Sequence, residues 1–146
     1  MTLKSNPNMR DQLPNLIFLA GVLQLLIPIA SALVPLRLKW RTGLSSIPKL
    51  HRQLYWTYGG YVVLAIVAFA LICLFNAKEL AAGSGLARGV CGYMAAFWGI
   101  RLCLQAVFDV KPFLTEWWLV LGYHTLTVVF VTLTAIFGLA AIWPAP

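Results

Sequence analysis

Residues 117–143 read WWLVLGYHTLTVVFVTLTAIFGLAAIW, 27 consecutive positions without a charged side chain. The hydrocarbon core of a bilayer is about 30 Å thick, and a helix rising about 1.5 Å per residue crosses it in roughly 20 apolar residues. This stretch is long enough to do so with tilt to spare. An open sheet would leave backbone groups unpaired in hydrocarbon, and the alternation of a membrane barrel strand is absent, so the stretch reads as a helix. Three more stretches meet the same length requirement: Leu16 to Leu36, Leu54 to Phe75 between Arg52 and Lys78, and Gly89 to Phe108 between Arg88 and Asp109. A single charge, Arg101, interrupts the last of these. The expected fold is all-α: a polytopic membrane protein forming one four-transmembrane-helix bundle over residues 1–146, with spans near 16–36, 54–75, 89–108 and 117–143.

Composition agrees. Hydrophobic residues make up 61% of the chain and charged ones 10%, against about 25% charged in an ordinary soluble domain. Too few polar side chains exist to clothe a water-facing surface, and a mean hydropathy of +0.84 excludes a disordered or coiled-coil chain as well.

The net charge of +7 comes from 11 Lys and Arg against 4 Asp and Glu. In a soluble protein this excess would suggest nucleic acid, but no nucleic-acid-binding motif accompanies it, and no such partner is expected. The bases instead cluster between spans, where they set orientation and meet anionic headgroups. The stretch from Arg37 to Gln53 carries Arg37, Lys39, Arg41, Lys49 and Arg52 and no acid. With Lys111 in the third loop, one side of the membrane holds six loop bases; Lys4, Arg10, Lys78 and Arg88 give the other side four. The positive-inside rule then places the first and third loops in the cytoplasm and both termini outside a plasma (inner) membrane. Arg37, Lys39 and Arg41, with Trp40 among them, are the expected contacts to anionic lipid headgroups. The run from Lys4 through Ala30-Ser31-Ala32 also imitates a cleavable secretory signal. Cleavage there would export the five-base loop against the charge rule, so the four-span reading is kept.

Two helix surfaces carry further information. Gly85, Gly89, Gly92, Ala96, Gly99 and Cys103 recur at spacings of 4, 3, 4, 3 and 4. This seam of small residues allows close packing against a neighbour, within the bundle or between protomers. At 100° per residue Arg101 lies roughly opposite that seam, beside Met94, Phe97, Trp98, Gln105 and Phe108. A charge near the bilayer centre costs about 2.5–3.5 kcal/mol on insertion scales, so Arg101 should face protein or water, or snorkel toward the headgroups. His124 falls at nearly the same depth on the fourth span, because the third span ends on the side where the fourth begins. The second span also begins there, with Tyr55, Trp56, Tyr58 and Tyr61 around Gly59-Gly60. Those aromatics suit an interfacial belt. The sharper expectation is a polar pocket of Tyr58, Tyr61, Arg101, Gln105 and His124 for a lipid- or quinone-like ligand or a partner's carboxylate.

Catalytic chemistry finds no support. Cys73, Cys91 and Cys103 form no C-x-x-C pair, so redox and zinc motifs are missing; Cys73 and Cys91 approach the same face, where a disulfide is geometrically open but inert buried thiols are the simpler reading. His51 and His124 do not match in depth as a haem pair would. The acids Asp11, Glu79, Asp109 and Glu116 all stand at span boundaries, leaving no intramembrane carboxylate for proton relay. No phosphate loop, nucleophile elbow or zinc-protease motif occurs. No cofactor and no metal site are expected, and an enzyme is the less favoured class.

Three stretches, Leu50-His51-Arg52-Gln53-Leu54-Tyr55-Trp56-Thr57-Tyr58, Phe97-Trp98-Gly99-Ile100-Arg101-Leu102 and Gly122-Tyr123-His124, resemble a group of small uncharacterised bacterial membrane proteins with four spans. The resemblance covers Ile47 to Leu139 and implies a bacterial plasma-membrane setting, with no activity attached. The functional expectation is a subunit, scaffold or assembly partner, in contact with the lipid bilayer and with a membrane-protein partner or a second copy. The alternative is binding or transport of a lipid- or quinone-like ligand around Arg101 and His124.

Overall fold

Proline and serine set where the helices begin. In the computed structural model, which describes residues 7–37, 40–110, 112 and 114–142, helix α1 (Pro7–Arg37) opens on Pro7. The first turn of a helix has no use for the N–H that proline lacks, and its fixed φ suits that position. Pro14 and Pro28 stand inside α1 and do not end it, a tolerance typical of membrane helices. A short helix α2 (Trp40–Leu44) follows, and its final carbonyls are met by serines: Ser45 Oγ donates to Thr42 O at 2.6 Å and Ser46 Oγ to Gly43 O at 2.9 Å. Pro48 then leads into α3 (Lys49–Phe75), its carbonyl accepting from Arg52 N at 3.1 Å.

After α4 (Ala77–Ala81) the chain turns at Gly83, whose φ of 73° is a left-handed conformation that only glycine adopts without cost. Ser84 caps α5 (Gly85–Val107), its hydroxyl accepting from Ala87 N at 3.2 Å. Helix α6 spans Trp117–Ile142. The chain is all-α, as its hydropathy predicts, with no strand among the described residues. Four of the helices are long and apolar enough to cross a membrane.

Three of the four long helices begin earlier than the expected spans, and α6 begins at Trp117 as expected. Helix α1 starts at Pro7 rather than Leu16, α3 at Lys49 rather than Leu54, and α5 at Gly85 rather than Gly89. Hydropathy reads only the part of a helix that dissolves in lipid, whereas hydrogen bonding continues into the polar flanks until a proline or a cap stops it. Trp143, the expected end of the last span, lies outside the described residues, as do the side chains of Arg37, Lys39 and Arg41.

The chain divides into two compact units, residues 19–75 and residues 1–18 with 76–146. In the first, Gly21 brings α1 against α3. A Cβ built on Gly21 would lie 3.0 Å from Cys73 Cβ and 3.1 Å from both Ala70 O and Leu74 Cγ, closer than a side chain ordinarily stands, so glycine lets the helices meet without displacing these neighbours. Next to it Gln24 is fully buried, its amide donating to Ala20 O at 3.2 Å and lying 3.6 Å from Cys73 Sγ. Ile66, Phe69, Ala70 and Cys73 bury the C-terminal half of α3, while Tyr55, Trp56, Tyr58 and Tyr61 in its N-terminal half are exposed. In the second unit α5 and α6 pack along their lengths. Helices in lipid gain little from hydrophobic burial against each other, so shape and polar contacts must hold such pairs.

Candidate functional site between α5 and α6

The pairing of α5 with α6 is antiparallel, and three levels mark it. At one end Arg88 Nε donates to Ala141 O at 2.8 Å, satisfying a carbonyl in the last turn of α6. Midway, Trp98 meets Phe130 with ring centroids 5.3 Å apart. At the other end Gln105 bonds to Tyr123 and Thr127. The inward stripe of α5 is Ala87, Cys91, Met94 and Trp98, all buried, at spacings of 4, 3 and 4. The same rhythm continued by 3 and 4 reaches Arg101 and Gln105. Both are half-buried and extend an apolar stripe with polar groups.

At Gln105 the hydrogen bonds are determined by their acceptors. Nε2 donates to Tyr123 O at 3.1 Å and to Thr127 Oγ1 at 2.7 Å. A carbonyl oxygen only accepts, so the amide cannot be turned the other way. The Thr127 hydroxyl passes its own proton to Tyr123 O at 2.9 Å, and the Tyr123 hydroxyl donates to Gln105 O at 3.1 Å. This closed set ties the two helices at one level. It leaves Gln105 Oε1 buried and without a hydrogen-bond donor among the described residues.

One turn earlier on the same face, the Arg101 guanidinium carbon lies 6.0 Å from the centroid of the Phe130 ring. Phe130 stands 13 residues into the 26-residue α6, about 20 Å from either end at the usual helical rise. The guanidinium therefore stays near the middle of the span instead of climbing to its end. Among the described residues it has no ion pair and no hydrogen bond; the ring's negative face is its partner.

His124 is exposed and stands edge-on to Tyr123 at 5.6 Å. With Ala106, Val107, Phe108, Asp109, Val110, Leu114 and Tyr123 it lines an open cleft of about 380 Å³ beyond the end of α5. Of the five expected pocket residues, Arg101 and Gln105 share the inward face of α5, and His124 lies beside the Tyr123 level. Tyr58 and Tyr61 are exposed on α3, in the other unit.

The small-residue seam is divided. Gly92 and Gly99 face α6, where a Cβ would meet Ala141 Cβ at 3.8 Å and Thr134 Cγ2 at 3.7 Å. Gly85 and Gly89 have nothing within 4 Å, and Ala96 and Cys103 are exposed. Cys73, Cys91 and Cys103 form no disulfide with one another, and the first two are buried.

Sequence reasoning did not single out Gln24, Gly21, Arg88 or Tyr123 as contact residues. Gln24 left a signal, since it is a polar residue in the middle of an uncharged span and glycine stands three residues before it. Arg88 left none, because a base at a span end reads equally well as an orientation signal. No family model, curated protein or solved structure matches the chain.

Proposed function

We propose that the chain is a multi-pass plasma-membrane protein that works by association, as a subunit, scaffold or assembly partner. The observation that carries this reading is how little each span buries against its own chain: between 17% and 28% of the residues in the four apolar windows. The remaining surface meets lipid or other proteins. Leu86, Tyr93 and Ile100 on α5 and the aromatic N-terminal half of α3 belong to that exposed surface. Under the same reading the loop bases put the first and third loops in the cytoplasm and both termini outside, with Arg37, Lys39 and Arg41 against anionic headgroups.

In-membrane chemical cross-linking before extraction, followed by native gel electrophoresis of the tagged chain, tests association. A discrete higher-mass band is expected. A chain that stays monomeric after cross-linking in its own membrane overturns the reading. Reporter fusions at Pro112 and at the C-terminus test orientation, and a cytoplasmic signal from the C-terminal fusion refutes it.

A second reading has its own support. Among the described residues Gln105 Oε1 has no donor and Arg101 no acceptor, and the two, one turn apart on α5, suit a site for a lipid- or quinone-like ligand. Lipid extracted with the purified wild-type chain and lost from an Arg101→Met variant that inserts normally would favour it. Identical lipid content in both would remove it.

A further inference from the structure

Arg101 is held beside Phe130 at mid-span, and its only recorded partner among the described residues is that ring. The chain has four acids, Asp11, Glu79, Asp109 and Glu116. Asp109, the nearest in sequence, stands eight residues on, beyond the end of α5, about 12 Å further along the axis. Glu116 precedes α6, 14 residues before Phe130. A second copy would insert with the same orientation, so its acids would stand at these same depths. A homo-oligomer therefore brings no carboxylate to Arg101.

Headgroup phosphates do not reach it either. The hydrocarbon core extends about 15 Å to each side of the midplane, and phosphates lie beyond it. Arg101 thus presents a cation where lipid offers no counter-charge. An intramembrane ionisable group of this kind faces a partner that pairs with it. A guanidinium donates two parallel hydrogen bonds in one plane to the two oxygens of a carboxylate, which makes an acid the matching chemistry.

We infer that Arg101 is the docking point for a different membrane protein, one whose transmembrane helix carries a carboxylate near its centre. This rests on the association reading and specifies the partner. The side of α5 adjoining Arg101 exposes Leu104 and Ile100, an apolar border for a helix laid alongside. Pairing there neutralises the charge in a low-dielectric setting, where a single ion pair discriminates strongly between partners.

The test uses the full-length chain and a synthetic transmembrane peptide of about 20 leucine and alanine residues with one central Glu. Both are labelled and placed together in neutral phosphatidylcholine vesicles, and energy transfer reports association. The Glu peptide is expected to associate about tenfold more tightly than peptides with Gln or Leu at the same place. Moving the Glu two turns toward either end should abolish the preference, an arm that needs no change to the protein. Arg101→Met should lose it and Arg101→Lys should keep it. Equal association of the Gln or Leu peptide, indifference to the depth of the Glu, or retention of the preference by Arg101→Met overturns the inference. So does displacement of the Glu peptide by phosphatidylglycerol, which would give the site to lipid phosphate. If in-membrane complexes persist in the Arg101→Met variant, association stands and Arg101 is not its contact; if no complexes form at all, the association reading itself has failed.

Discussion

Replacing Gly21 by alanine isolates a single contact in the fold. The added Cβ would stand 3.0 Å from Cys73 Cβ, 3.1 Å from Ala70 O and 3.1 Å from Leu74 Cγ. Ordinary contact between such atoms is about 3.5–4.0 Å. Two of the three neighbours, a backbone oxygen and a β-carbon, cannot swing aside as the end of a long side chain can. Helix α1 must therefore retreat by about half an ångström, and a gap of that size forfeits roughly a quarter of the dispersion attraction along the contact. The retreat also stretches the Gln24 amide away from Cys73 Sγ, already at 3.6 Å. Overpacking of this kind costs about 1–3 kcal/mol. Alanine recovers up to about 1 kcal/mol of helix propensity, and that gain must be removed by a control. Gly59 supplies it, because a Cβ there meets nothing within 4 Å. Gly21→Ala should be less stable than Gly59→Ala by about 1–3 kcal/mol in detergent-micelle unfolding followed by circular dichroism. In the same sample N-ethylmaleimide should modify Cys73 faster in Gly21→Ala than in the wild type, read by peptide mass. Equal stability of the two variants, with Cys73 still protected, would refute the close approach of α1 to α3 at this glycine.

The polar layer of α5 and α6 predicts an order of costs. Thr127→Val leaves one N–H of the Gln105 amide unmet beside an Oε1 that already has no donor, and should cost about 1–2 kcal/mol. Gln105→Leu removes the unmet acceptor along with the donors, and Tyr123 O keeps its bond from Thr127 Oγ1, so it should cost under about 1 kcal/mol. Unfolding in micelles that ranks the two the other way contradicts the hydrogen-bond assignment. Arg88→Met should uncap α6 and speed amide hydrogen exchange over residues 139–142, with no change at residues 120–125; uniform exchange along α6 counts against the cap. Among the thiols, Cys103 should react first with N-ethylmaleimide in detergent, since Cys73 and Cys91 are buried. Modification of Cys91 at the same rate would contradict its place on the inward stripe.

How much of this was legible in the sequence depends on which physical signal each feature leaves. Four long apolar helices were, because hydrocarbon admits no other use for 27 uncharged residues. Their starts were less so, since Pro7, Pro48 and Ser84 act through backbone geometry and hydropathy does not register them. The packing partners of the seam were not legible. The spacing of Gly85, Gly89, Gly92, Ala96, Gly99 and Cys103 establishes that these positions share a side of α5, and the structure sets Gly92 and Gly99 toward α6 with Gly85 and Gly89 open.

The limit is a property of the solvent. In water an amphipathic helix announces its inward face by contrast, because apolar side chains avoid one side and polar ones seek it. In lipid, leucine is equally at home against a neighbour or against an acyl chain, so the contrast disappears and composition no longer orients the helix. What remains is the small set of polar atoms that hydrocarbon cannot satisfy. Gln24 turns α1 toward Cys73, Arg88 turns α5 toward the end of α6, and Gln105 with Tyr123 and Thr127 sets the register between them. A hydropathy reading treats each of these residues as an interruption of its span. They are instead the positions at which the span's rotation is determined, and Arg101 extends the same stripe beside the Phe130 ring, with no hydrogen-bond acceptor among the described residues.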